Sequence, residues 1–170
     1  MFHKFYPNEY IESSYDIDYN ELYKKGYRGL VFDIDNTLVE HGADAADRTI
    51  ELMKRLKGMG FRICFLSNNN EERVKRFNKD IQTHYIYKAN KPSKKGYQKA
   101  MQLLGTTTKD TIFVGDQLFT DVWGAKRCGI VTYLVTPIHP KEEIQIVLKR
   151  HLEKIVLNSY HKRGNTKCGK

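Results

Sequence analysis

Between positions 29 and 135 the chain alternates short apolar runs with longer stretches in which apolar residues recur every three to four positions. The runs Gly29-Leu30-Val31-Phe32, Phe61-Arg62-Ile63-Cys64-Phe65-Leu66, Thr111-Ile112-Phe113-Val114 and Ile130-Val131-Thr132-Tyr133-Leu134-Val135 have the length and β-branched content of buried strands, and Tyr85-Ile86-Tyr87 is a weaker fifth. Residues 44–59, 71–80, 93–104 and 120–128 have helical spacing. Several are entered by Asp, Ser or Thr and followed by Gly60, Gly105 or Gly129, which are capping signals. Repeated strand–helix units predict an α/β fold with a mainly parallel central sheet of about five strands, covered by helices on both faces.

The two ends read differently. Residues 1–28 are tyrosine-rich with mixed charge and lead into a short helix around Tyr19 to Lys25, a packed lead-in without a core of its own. From Pro140 onward, Ile144, Val147, Leu148, Leu152 and Ile155 fall on one helical face, the spacing of a helix packed on the sheet. After Leu157 the chain turns polar, so residues 1–157 are expected to form one domain and 158–170 a mobile basic tail. A length of 170 residues, with 40% hydrophobic and 29% charged side chains, suits a single globular core and excludes a disordered or low-complexity chain.

Cys64, Cys128 and Cys168 are odd in number and widely spaced, which argues against a disulfide framework or a zinc cluster. No apolar run approaches the roughly 18 residues of a membrane span, and the first ten residues lack a signal-peptide core. The expected location is the cytoplasm, with peripheral contact with an anionic membrane as a further expectation. The net charge of +9 favours anionic partners, and its weight lies late: residues 1–28 carry four basic and five acidic side chains, residues 138–170 eight and three.

The chemistry concentrates where strands end. The run closing at Phe32 leads into Asp33-Ile34-Asp35-Asn36-Thr37, placing two carboxylates and a hydroxyl at the carboxyl edge of a strand, where open α/β sheets bind ligands. Adjacent carboxylates repel unless a cation or a shared proton stabilises them, so the pair suggests a hard divalent metal, with Mg²⁺ the first candidate. A plain surface turn is the competing reading. A second acidic pair, Asp116 and Asp121 in Gly115-Asp116-Gln117-Leu118-Phe119-Thr120-Asp121, follows the Thr111–Val114 run. Together Asp33, Asp35, Asp116 and Asp121 would make one four-carboxylate metal site. Between the pairs, Ser67-Asn68-Asn69-Asn70 and Asn90-Lys91-Pro92 offer a hydroxyl, amide donors and a cation at two further strand ends. Ser67 could instead cap a helix, and Lys94 or Lys95 could replace Lys91.

This ordered set resembles the haloacid dehalogenase superfamily of phosphotransferases, whose motifs are a DxDxT strand end, a Ser or Thr after the second strand, a Lys and a final acidic GDxxxxD. The resemblance covers Gly29 to Pro137. The finer wording, DIDNTLVEHG, SNN, NKP and VGDQLFTDVWGAK, is similar to the subclass III branch that holds YqeG proteins and mitochondrial phosphatidylglycerophosphate phosphatases. It implies a Rossmann-like three-layer sandwich. It also implies that Asp33 is the nucleophile and forms an aspartyl-phosphate, and that Asp35 is the general acid and base, its main-chain carbonyl joining the metal shell. Asp33 and Asp116 would hold Mg²⁺, with Asp121 supporting that shell or orienting Lys91. Ser67, with Asn68 or Asn69 as competitors, and Lys91 would bind the transferring phosphoryl group, and Thr37 would brace the loop.

Many members of that superfamily carry a cap domain inserted near the first motifs. From Thr37 to Ser67 this chain has room for a loop, one helix and one strand, and from Asn70 to Lys91 for one helix and a short strand, so no large cap is expected. The basic C-terminal segment and the resemblance to that branch together favour a phosphomonoester presented at an anionic membrane, and the resemblance implies phosphatidylglycerophosphate as the leading candidate. A soluble phosphorylated metabolite or a macromolecule is the alternative. A phospho-accepting receiver fits less well, because Asp35 and the trailing acidic motif provide for rapid turnover. A basic RNA- or ribosome-binding module is compatible with +9, but no nucleic-acid motif is present, so nucleic acid is not favoured. His41, near the acidic turn, is a further candidate substrate contact, and the sequence sets no oligomeric state.

Overall fold

In the computed structural model, residues 2–139 and 144–162 are described, the side chains of 144–149 apart. Six strands form one parallel sheet: β1 (Glu9–Ile11), β2 (Gly29–Phe32), β3 (Arg62–Leu66), β4 (His84–Ile86), β5 (Thr111–Gly115) and β6 (Val131–Val135), in the order β1-β6-β5-β2-β3-β4. The helices are α1 (Tyr19–Lys24), α2 (Asp47–Gly58), α3 (Glu71–Asn78), α4 (Lys94–Leu104), α5 (Trp123–Arg127) and α6 (Ile144–His161). The chain runs outward from β2 through β3 to β4 on one side and from β5 to β6 on the other. The order therefore reverses between β2 and β5, and such a switch point opens a crevice at the carboxyl ends of the strands.

The centre of the sheet is dry. Every residue of β2 and β5 is buried, as parallel strands covered on both faces require. One face packs Phe32, Leu52, Met53, Leu56, Phe65 and Phe77 among others, and the opposite face packs Val31, Leu66, Tyr97, Ala100 and Phe113. Each of β2, β3 and β5 ends in apolar side chains that anchor it, so the first polar residue beyond each is held at a fixed height above the core. No helix among the described residues is long and apolar enough to cross a membrane.

The sheet has one strand more than the hydrophobic pattern predicts. β1 lies in the lead-in and pairs with β6, Tyr10 opposite Leu134. Its three residues are all half-buried, so no apolar run betrays it. Much of its tie to the sheet comes from a side chain: Asn8 Oδ1 accepts from Thr132 N at 2.9 Å, while Asn8 N donates to Thr132 O at 3.0 Å.

The C-terminal helix also departs from the pattern. Ile144, Val147 and Leu148 lie outside the described side chains, while Leu152 and Ile155 are 52% and 51% exposed. The buried face carries Glu153, Val156 and Tyr160. Glu153 accepts from Leu118 N at 2.9 Å, and Val156 and Tyr160 pack with Tyr6, Leu118, Val122 and Leu134. A polar anchor beside the sheet edge thus outweighs the count of apolar residues and turns the helix by about one position. α6 continues to His161, so 158–161 are helical, and residues 163–170 of the expected tail lie outside the described residues.

Candidate active site at the carboxyl edge of the sheet

Beyond Phe32 the chain keeps its strand alternation for three residues. Ile34 is fully buried, while Asp33 and Asp35 face the other way. Asp33 N donates to Val114 O at 2.9 Å, which fixes the nucleophile candidate to the neighbouring strand across the switch point. Asn36 then takes a left-handed φ of 63°, and Leu38 N donates to Ile34 O at 3.0 Å, closing a tight turn. Asn tolerates that conformation better than most side chains. The turn brings the Thr37 hydroxyl to 3.3 Å from Asp33 Oδ2 and 3.2 Å from Asp116 Oδ1.

The second acidic pair is set by β5 and a π-helical turn, Leu118–Val122, in which Val122 N donates to Gln117 O at 3.1 Å. The buried Tyr97 hydroxyl donates to Thr120 O at 2.6 Å and pins this turn from α4. Asp121 Oδ2 accepts from Gln117 N at 3.1 Å. Gly115 is required by this close approach, because a Cβ there would lie 2.5 Å from Asp121 Oδ2.

Asp33, Asp116 and Asp121 are all buried, and each offers an oxygen within 4.8 Å of the others. Lys91, itself buried, lies between two of them, with Nζ 2.5 Å from Asp33 Oδ1 and 2.7 Å from Asp121 Oδ1. The loop that delivers it contains a left-handed Asn90 and a cis Lys91–Pro92 bond. Asn68 grips the same loop, accepting from Lys91 N at 2.7 Å and donating to Lys91 O at 3.3 Å. Lys94 and Lys95 stand exposed on α4, so Lys91 is the lysine that the fold brings to the carboxylates. The third carboxylate has a cation that motif reading did not find: Arg150 of α6 pairs with Asp116 Oδ2, donates to Asp116 O at 2.8 Å and reaches Glu153 at 3.2 Å.

Burial dominates the electrostatics. It pushes the Asp33 carboxyl well above the usual range, Asp121 and Asp116 push it further, and Lys91 opposes both. Asp116 is pushed up to about 6 by burial and by Asp121, against the pull of Arg150. For Lys91, burial alone would lower the pKa, but the Asp121 and Asp33 carboxylates more than offset it and hold the ammonium firmly protonated. Three buried carboxylates with oxygens this close together are the donor set of a hard divalent cation, and these residues fit one.

Asp35 does not join that triad. Its Oδ1 accepts from Gly42 N at 2.7 Å and Arg73 Nη2 at 3.0 Å, and its Oδ2 from Asn69 Nδ2 at 2.7 Å. Burial would raise its pKa, but Gly42 and Arg73 outweigh burial and set it below the usual range. His41, largely exposed, stands 4.0 Å from the same oxygen. Ser67 is buried at the end of β3, its hydroxyl accepting from Asn69 N at 3.1 Å, while α3 is capped by Asn70. Arg73 and Arg150 escaped sequence reading. Arg73 left a trace, because a cation in the first turn of a helix opposes the helix dipole; Arg150 on a basic helix left none.

Comparison with known proteins agrees with this geometry. The sequence model of the haloacid dehalogenase-like hydrolases matches residues 42–129, just over half of the chain. The chain is similar to the probable phosphatase YqeG of Bacillus subtilis, 34% identical over 167 residues and 97% of both proteins. It is also similar to phosphatidylglycerophosphate phosphatase 1, chloroplastic/mitochondrial, of Arabidopsis thaliana, 29% identical over 87% of this chain and 46% of that protein. In fold it matches the cobalt-bound deoxy-D-mannose-octulosonate 8-phosphate phosphatase of Haemophilus influenzae, with a TM-score of 0.55 over 79% of this chain and 89% of that one at 14% identity. With the acidic crevice at the switch point and a relative matched nearly end to end, the chain belongs to the haloacid dehalogenase-like hydrolase family, among its phosphatases.

Proposed function

We propose that the protein hydrolyses a phosphomonoester through an aspartyl-phosphate on Asp33, with Mg²⁺ held by Asp33, Asp116 and Asp121, and that the ester is a lipid phosphate of the phosphatidylglycerophosphate type. The observation that carries the reading is Asp33 itself, a buried carboxylate fixed between Lys91 and Thr37 at the mouth of the sheet. Bound at the triad, the cation would reduce repulsion between Asp33 and an anionic phosphate. Asp33 attacks phosphorus as the bond to the leaving oxygen breaks, and that oxygen takes its proton from the protonated form of Asp35, a form that Gly42 and Arg73 disfavour in the free site. Asp35 then takes a proton from the water that attacks the aspartyl-phosphate, releasing phosphate and restoring Asp33. Lys91 and the Ser67 hydroxyl offset charge on the phosphoryl oxygens, with Asn68 holding Lys91 in place.

Three features support a lipid substrate. Only a loop, α2 and β3 separate Thr37 from Ser67, so no large cap closes the crevice. A cavity of about 330 Å³ opens beside Asp116, walled by Leu118, Leu134, Val135, Pro137 and Leu157, which suits the apolar part of an amphiphile. Leu152 and Ile155 stand exposed beside Lys154 on α6, an arrangement that suits an anionic lipid surface. The Arabidopsis relative, a phosphatidylglycerophosphate phosphatase by name, points the same way.

The test is phosphate release from phosphatidylglycerophosphate in mixed micelles and from an aryl phosphate, with and without Mg²⁺. Selective, Mg²⁺-dependent release from the lipid is expected, with Asp33→Asn reducing it by at least about a thousandfold while the protein stays folded. Release from the aryl phosphate alone would move the substrate to a soluble phosphate, and full activity in Asp33→Asn would overturn the mechanism.

A further inference from the structure

The residues that hold Asp35 form an arrangement that the contact of the Arg73 guanidinium with the Phe77 ring, 5.6 Å to its centroid, does not by itself explain. Arg73 is buried, at 7% exposure, in the first turn of α3, where the helix dipole disfavours a cation. A structural arginine in such a place would be expected to use its planar fork in paired hydrogen bonds. Instead, Nη2 alone reaches Asp35 Oδ1, at 3.0 Å, while Nε and Nη1 are buried with no hydrogen-bond partner. Leaving buried guanidinium donors unpaired costs free energy, and a buried ion pair is a weak way of stabilising a fold.

The same helix controls the other side of Asp35. One turn on, Arg76 donates from Nε to Asp44 Oδ1 at 2.6 Å and from Nη2 to Gly42 O at 3.0 Å. Gly42, whose left-handed φ of 78° a glycine adopts readily, turns its N–H onto Asp35 Oδ1 at 2.7 Å. Asn69, just before α3, holds Oδ2 at 2.7 Å. Both carboxylate oxygens are thus fixed by α3, by the residue leading into it, or by the loop it grips.

We infer that Arg73, with Asn69, is a positioning residue for the reaction, holding the Asp35 carboxyl at the orientation from which it serves the leaving oxygen. This rests on the reading above, in which Asp35 is the acid and base.

Leaving-group dependence separates this role from a structural one. A dinitrophenolate departs without a proton, whereas an alkoxide needs one, so in the phosphoryl transfer to Asp33, the step that kcat/KM reports, a misplaced Asp35 slows the alkyl ester selectively, while its later work on water is common to both esters. We compare kcat/KM for glycerol 3-phosphate and for 2,4-dinitrophenyl phosphate in wild type, Arg73→Gln, Arg73→Lys, Asn69→Ala and Asp35→Asn, with thermal melts as the check on folding. Arg73→Gln is expected to lose at least about tenfold on the alkyl ester and less than about threefold on the dinitrophenyl ester, through kcat more than KM. Asn69→Ala should lose selectively in the same direction, and Arg73→Lys should recover part of the loss. Equal losses on both esters in the Arg73 and Asn69 variants, with a selective loss in Asp35→Asn, would overturn the inference and leave the proposed function standing. No selective loss in Asp35→Asn would overturn the role of Asp35 and the inference with it. Should Arg73→Gln fail to fold, Asn69→Ala and Arg73→Lys decide the matter.

Discussion

Asp121 shows how little slack a single residue has in this site. It bonds Lys91 with one oxygen and Gln117 N with the other, and it leans directly over the Gly115 Cα. Gly115→Ala is therefore expected to push Asp121 off Lys91, to destabilise the protein by about 2 kcal/mol as overpacking does, and to reduce phosphate release sharply. Urea unfolding and the phosphate assay read the two effects. An unchanged protein would show that the π-helical turn yields. This residue-level detail is also where sequence reading succeeds and stops. Asp33 and Asp116 are legible because each directly follows a strand whose apolar run is visible, and Lys91 and Asp121 because each stands a few residues beyond a strand end. Arg73 and Arg150 are not, because their partners Asp35 and Asp116 lie 38 and 34 residues away and no local pattern aims a helix side chain at them.

At the scale of elements, α6 carries the clearest departure. Periodicity places Leu152 and Ile155 inward, and the structure places them outward because Arg150 and Glu153 attach the helix to Asp116 and Leu118. β1 is the complementary case, a strand made of half-buried residues and completed by an Asn side chain. Periodicity records only how much apolar surface a segment offers, and both elements are placed by specific polar bonds. Exposure of two large aliphatic side chains yields an element-level prediction. Leu152→Ser with Ile155→Ser should reduce co-sedimentation with phosphatidylglycerol-containing vesicles while changing stability by less than about 0.5 kcal/mol per residue. Val156→Ala, on the buried face, should cost about 1–2 kcal/mol without that loss of binding. Equal vesicle binding by all three proteins would remove α6 from the membrane reading.

For the molecule as a whole, the acidic crevice links stability to pH and to divalent cation. With Asp116 pushed up from 3.8 to about 6, the native state holds a proton that the unfolded chain has released between those values. The contribution of this group to stability therefore falls as pH rises from about 4 to about 6, the reverse of an ordinary salt-bridged aspartate. Without divalent cation, the wild-type melting temperature should drop relative to that of Asp116→Asn across this interval. Mg²⁺ should raise it at pH 7 and much less at pH 4.5. The same Mg²⁺ effect in Asp116→Asn as in wild type would place the cation elsewhere.

The pairing of β2 with β5 has a consequence for how the protein is made. Thr37 and Asp116 share a hydrogen bond although they are 79 residues apart, and Asp33 is tied to Val114 across the same seam. A ribosome finishes β2, α2, β3 and α3 before β5 exists, so a nascent chain carries Asp33 for about half of its synthesis with neither acidic partner beside it. The three carboxylates come together only when the late strand lies next to the early one. A cation that binds the finished crevice would then act as a latch on a completed sheet, distinguishing whole molecules from half-made ones.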